Sequence, residues 1–116
     1  RSPFALHRPP GALVRAVREN PWAIDGPGRA DTIVIERLGV FAKGGAEGVM
    51  IMVAPNGATV ALKVLDGSGR ATTAIALALL ERVGALAAAD VGQTMALLPL
   101  SITGGGVDVG RIRPTV

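Results

Sequence analysis

Hydrophobic positions recur first at helical spacing, then in short unbroken runs, then at helical spacing again. In ALVRAVREN, Ala12 to Asn20, the residues Leu13, Val14 and Val17 share one side and predict a short helix ahead of Pro21. The preceding Arg1-Ser2-Pro3 and Pro9-Pro10-Gly11 resist regular structure until Ala12. Asn20 to Arg29, NPWAIDGPGR, reads as a turn-rich connection, because proline restricts the backbone and glycine permits sharp changes of direction. Trp22 beside Pro21 is expected to be a packing anchor. A second short helix follows over Thr32 to Leu38, with Asp31 or Thr32 as its cap and Gly39 ending it.

The middle of the chain has strand character. Val49 to Ala54 and Thr59 to Val64 flank Pro55-Asn56-Gly57-Ala58, which predicts an antiparallel hairpin. Both faces of the Val49 to Val53 run are apolar, as in a central strand covered on two sides. Phe41-Ala42-Lys43 ends a preceding strand that Gly44-Gly45 leaves sharply. Asp66-Gly67-Ser68-Gly69 then punctuates the chain before a long helical pattern from Arg70 or Ala71 to Ala88, in which Gly84 is unfavourable. Ile75, Leu77, Leu79, Leu80, Val83 and Leu86 cover more than one stripe of that helix, so it should lie between layers or against another stretch of polypeptide. Val107 to Ile112 predicts a terminal strand after the break at Gly104-Gly105-Gly106.

Composition sharpens this picture. Charged residues are 18% against about 25% in an ordinary soluble domain, while 49% of residues are hydrophobic, which excludes a disordered tail. So little charge on a 116-residue domain predicts apolar surface that meets a partner, with self-association expected. Twelve basic and nine acidic residues give a formal charge of +3, but the bases are dispersed and accompany no nucleic-acid motif, so no nucleic-acid partner is expected. No apolar run reaches the length of a membrane-spanning helix, and no membrane partner is expected. With no secretory leader visible, the cytoplasm is the expected compartment. Cysteine is absent, which removes disulfide and thiol chemistry from this segment. The chain opens on Arg1 instead of Met, which reads either as a processed piece of a longer protein or as a trimmed form.

Candidate chemistry concentrates in Phe41 to Gly48, FAKGGAEG. Lys43 at a strand end can present an ammonium to an anion or manage a proton, and Gly44 and Gly45 let a ligand or another backbone approach closely. Glu47 can pair with Lys43 or position water; a turn with a solvated ion pair accounts for the same residues. Arg29 offers a donor fork for a carboxylate, and Asp31 either holds that fork or caps the helix. Local pattern alone does not bring Arg29 beside Lys43. Lys63 in ALKVLDG reads as a surface lysine on a strand. Gly44-Gly45 lacks the ending of a phosphate-binding loop, and His7, Ser68 and Ser101 have no adjacent relay partner.

Taken in order, NPWAIDGPGRADT, FAKGGAEGV and ALKVLDGSGRA resemble the asparaginase II family, the thermolabile or Rhizobium-type L-asparaginases, from about Asn20 through Arg70 and on into the long helix. The resemblance implies an α+β fold, an antiparallel sheet flanked by helices similar to the C-terminal part of a serine beta-lactamase or glutaminase domain. Residues 1–116 are then one partial domain of a larger protein that hydrolyses L-asparagine to L-aspartate and ammonia. It also implies a nucleophilic serine and a lysine separated from it by two residues, both upstream. Lys43 matches a further catalytic lysine, and Arg29, Gly44, Gly45 and Glu47 are candidates for substrate contact. No cofactor is expected in this segment; the family's zinc ligands are expected in the upstream portion, which is the implied polypeptide partner. The opposing expectation is a binding or structural module that keeps the sheet without the catalysis.

Overall fold

The computed structural model describes residues 10–116, so His7 and the opening up to Pro9 lie outside the described residues. Helix α1 spans Pro10–Glu19, two residues earlier than expected, since proline is well tolerated in a first helical turn where its missing N–H is not needed. Val17 on this helix is buried, but Leu13 is exposed. The turn-rich connection contains one helical turn, α2 at Trp22–Asp25. Here Pro21 is buried while Trp22 is 59% exposed, so the packing anchor is the proline and not the tryptophan.

Helix α3 spans Ala30–Leu38 and ends at Gly39, whose φ of 64° closes the helix through an N–H bond to the Ile35 carbonyl. Neither Asp31 nor Thr32 is its cap. Arg29 holds the N-cap position with no side-chain cap bond, and Asp31 and Thr32 lie inside the first turn.

Strands β1 (Phe41–Gly45), β2 (Val49–Val53) and β3 (Thr59–Lys63) form an antiparallel meander in that order. Gly44 and Gly45 do not leave the strand; they pair with Met50 and Val49, and the reversal falls on Ala46-Glu47-Gly48. The β2–β3 connection is a type I turn with Pro55 and Asn56 at its centre, closed by the Gly57 N–H on the Ala54 carbonyl at 2.9 Å. Only Gly57 of the Asn-Gly pair takes a positive φ, 91°, giving the longer bulged hairpin instead of a two-residue turn.

One face of the sheet carries Ala42, Met50 and Met52, which are buried, together with the half-buried Val60 and Leu62. The other carries Lys43, Val49, Ile51, Ala61 and Lys63, all exposed, so β2 is covered on one side only. The apolar residues of both β2 faces reflect β propensity as well as burial.

Helix α4, Thr72–Arg82, packs on β2 and β3, and α5, Ala88–Met95, packs on α3 and α4. The predicted single long helix is therefore two. Gly84 adopts φ 78°, and paired bonds from Gly84 N–H to Glu81 and from Ala85 N–H to Leu80 terminate α4. Its Ala74, Ala76, Leu77 and Leu80 join Val34, Ile35, Val40, Val91, Leu98 and Leu100 in one core between the sheet and the helices. The apolar stripe of α4 is thus buried within this chain, while Val83, just past the helix end, is 70% exposed.

The predicted terminal strand, β5 at Val107–Arg111, pairs with an unforeseen β4 at Ser101–Gly104. Gly105 and Gly106, both with positive φ, make the turn. This ribbon is exposed along most of its length and is tied at its base by the Ile112 N–H on the Leu100 carbonyl and the Arg111 guanidinium on the Met95 carbonyl. The chain is thus α+β, with a three-stranded antiparallel sheet, helices and a second small sheet. Among the described residues no helix is long and apolar enough to cross a membrane.

Candidate functional site

A pocket of about 630 Å³ opens where β1, the start of α3, the start of α4 and the Leu98-Pro99-Leu100 segment meet. Lys43, Gly44 and Gly45 line one wall; Asp25, Arg29 and Asp31 line another; Arg70, Thr72 and Thr73 close a third. Arg29 and Lys43, whose proximity no local pattern reveals, therefore face the same space. Glu47 is not in that wall. It sits in the β1–β2 turn at φ 61°, and its backbone carbonyl accepts a bond from the Lys63 ammonium at 2.5 Å. Lys63 thereby braces the turn at the end of the sheet.

Strand alternation directs Lys43 to the uncovered face of the sheet and Gly44 to the helical side. The Lys43 ammonium folds onto the Gly44 carbonyl and makes no ion pair among the described residues. Arg29 extends from the helix start with its side chain 71% exposed and pairs with Asp25 at 3.6 Å. An exposed pair of this kind contributes at most about 1 kcal/mol, so an incoming carboxylate can displace it at little cost.

Asp31 is the buried polar centre of the site, at 6% exposure. Its Oδ2 accepts the Gly44 N–H at 2.7 Å, its Oδ1 accepts the Thr73 hydroxyl at 3.4 Å, and its own N–H donates to Asp25 Oδ2 at 3.3 Å. Asp25 thus does for the first turn of α3 what a local cap would do. Burial raises the Asp31 pKa above the ordinary aspartate value; the Gly44 N–H opposes that shift, the Asp25 charge adds to it, and the Lys43 charge and Thr73 hydroxyl oppose it. Local pattern at Asp31 points only to a helix cap or a partner for Arg29. The legible signal was Gly44 itself, where a Cβ would lie 3.2 Å from Asp31 Oδ2, so only glycine lets the carboxylate approach so closely without a neighbour giving way.

Two hydroxyls also reach the pocket. Thr72 donates to the Gly69 carbonyl and Thr73 to Asp31. Among the described residues no serine lines the pocket.

Residues 5–114 match the family described as L-asparaginase II, and the chain belongs to that family. No curated protein matches the sequence. Among the described residues no three His, Cys, Asp or Glu side chains come together as a metal site.

Proposed function

We propose that this chain supplies one wall of the active site of an amidohydrolase that converts L-asparagine to L-aspartate and ammonia. The observation that carries the reading is the convergence of Lys43 and Arg29 on one pocket in a chain of this family. A cation at each of two walls suits a substrate with a carboxylate at one end and a carbonyl that becomes an oxyanion at the other.

In this reading the Arg29 fork takes the substrate α-carboxylate, while Gly44 and Gly45 allow the amide end to approach the β1 backbone. The nucleophile is a serine from polypeptide outside these residues, since the hydroxyls lining the pocket belong to threonines engaged in hydrogen bonds of their own. Its oxygen attacks the side-chain amide carbon, the C–N bond breaks, and ammonia leaves with the serine proton. Water then cleaves the resulting ester and releases aspartate. Lys43 stabilises the negative charge on the tetrahedral oxygen or passes the proton between serine and leaving nitrogen. The uncovered sheet face bearing Lys43, Val49 and Ile51 is where the upstream polypeptide packs, which brings its serine to the lysine and excludes water.

Ammonia release from L-asparagine, measured for the folded chain alone and for the full-length protein, tests this division of labour. Turnover by the full-length protein and none by the chain is the expected result. Robust turnover by the chain alone overturns the external nucleophile, and inactivity of both favours a binding module.

A further inference from the structure

Lys43 is the middle residue of β1, and the two strand residues that follow it are Gly44 and Gly45, which have the greatest backbone freedom of any residue type. Pairing with β2 holds only one side of β1, which is an edge strand. The Gly44 N–H turns away from β2, and an exposed edge donor would ordinarily go to water. Here it goes instead to a carboxylate at 2.7 Å that is almost fully buried, although burying that charge is unfavourable enough to raise its pKa. Water would satisfy the donor without that cost. The carboxylate adds a short, charge-assisted bond from a helix that is itself fixed: Thr73 of α4 holds its second oxygen, and Asp25 of α2 holds its backbone.

We propose that Asp31 is a positioning residue for Lys43: by fixing the Gly44 backbone to the first turn of α3, it sets where the Lys43 ammonium stands in the pocket. The inference rests on the role given to Lys43 above. The groups that face Asp31 are Asp25 from α2, Lys43 and Gly44 from β1, and Thr73 from α4, with Arg29 and Arg70 at the pocket walls. Asp31 does not need to touch substrate. Its effect runs through one backbone bond to the residue after the lysine, and a small misplacement of a catalytic group is enough to slow a reaction strongly.

The test uses the full-length protein with Asp31→Ala, Asp31→Asn and Lys43→Ala, each measured for kcat, KM and Tm. Asparagine keeps an oxygen that accepts the Gly44 N–H; alanine keeps none. Asp31→Ala is expected to lower kcat about 30-fold with KM within about twofold, and Asp31→Asn to lower it only about threefold. In the wild-type protein the Gly44 amide signal should shift with pH as Asp31 titrates, a readout that stands even if the alanine variant fails to fold. Wild-type kcat in both Asp31 variants, alongside an inactive Lys43→Ala, overturns the inference and leaves the function standing. An asparagine variant as slow as the alanine one, a KM that rises with the loss of kcat, or a Gly44 amide insensitive to pH also overturns it. A fully active Lys43→Ala removes the functional reading instead.

Discussion

The Asp31 carboxylate and the Gly44 N–H, from α3 and β1, meet at 2.7 Å across 13 residues of sequence. That bond joins the helix layer to β1, the strand that carries Lys43, and it holds a buried ionisable group against that strand's backbone.

Burial raises the Asp31 pKa above its ordinary 3.8, so between 3.8 and the raised value the folded protein binds more protons than the unfolded chain. The group's favourable contribution is complete below pH 3.8 and is lost as pH rises through the folded pKa. Asp31→Asn lacks this term. Its Tm relative to wild type should therefore climb as pH rises through that window and level off above it. A relative Tm that falls over the same window would show the sign to be wrong.

Gly48 provides a steric test of the turn beside the site. A Cβ there would lie 2.9 Å from the Ser68 carbonyl oxygen, and its φ of 72° disfavours side chains as well. Gly48→Ala should cost about 1–3 kcal/mol, read by denaturant unfolding, whereas Gly69→Ala, which meets nothing within 4 Å and has no positive φ, should change stability little. Equal losses at both positions would argue against the turn geometry.

How much of this was legible in the sequence depends on how far each interaction reaches. Asn56-Gly57 and Gly39 mark a hairpin and a helix end through their own backbone preferences, and both fall where expected. Gly84 carried the signal that ends α4, but the surrounding leucines and alanines outweighed it, and periodicity ran on into α5. Gly44 and Gly45 looked like an exit from β1 because their own propensity disfavours strands; pairing with Met50 and Val49 keeps them in it. The pocket was partly legible. FAKGG marked one wall, but Asp31 meets Gly44 and Thr73 across 13 and 42 residues, separations at which local pattern carries no information. The same holds for β4, whose pairing depends on a partner beyond the glycine turn.

Leu80 in the last turn of α4 and Val83, the residue that caps its C-terminus, lie in opposite surroundings. Leu80 is fully buried in the core while Val83 is 70% exposed. Leu80→Ala should lower stability by about 2–5 kcal/mol and Val83→Ala by no more than about 0.5 kcal/mol. Denaturant midpoints at constant slope provide the comparison. Similar losses at the two positions would mean that α4 docks elsewhere than on this chain's own sheet.

The central claim is that Lys43, not the lysine that braces the neighbouring turn, takes part in the chemistry. The most direct measurement is ammonia release from L-asparagine by full-length Lys43→Ala and Lys63→Ala, with circular dichroism recorded on the same samples. Lys43→Ala should fold as wild type and lose at least about 100-fold in kcat, since proton transfer and charge stabilisation each contribute on that scale. Lys63→Ala, which gives up only a bond to the Glu47 carbonyl, should stay within about threefold. A folded Lys43→Ala protein that releases ammonia at the wild-type rate would contradict the account.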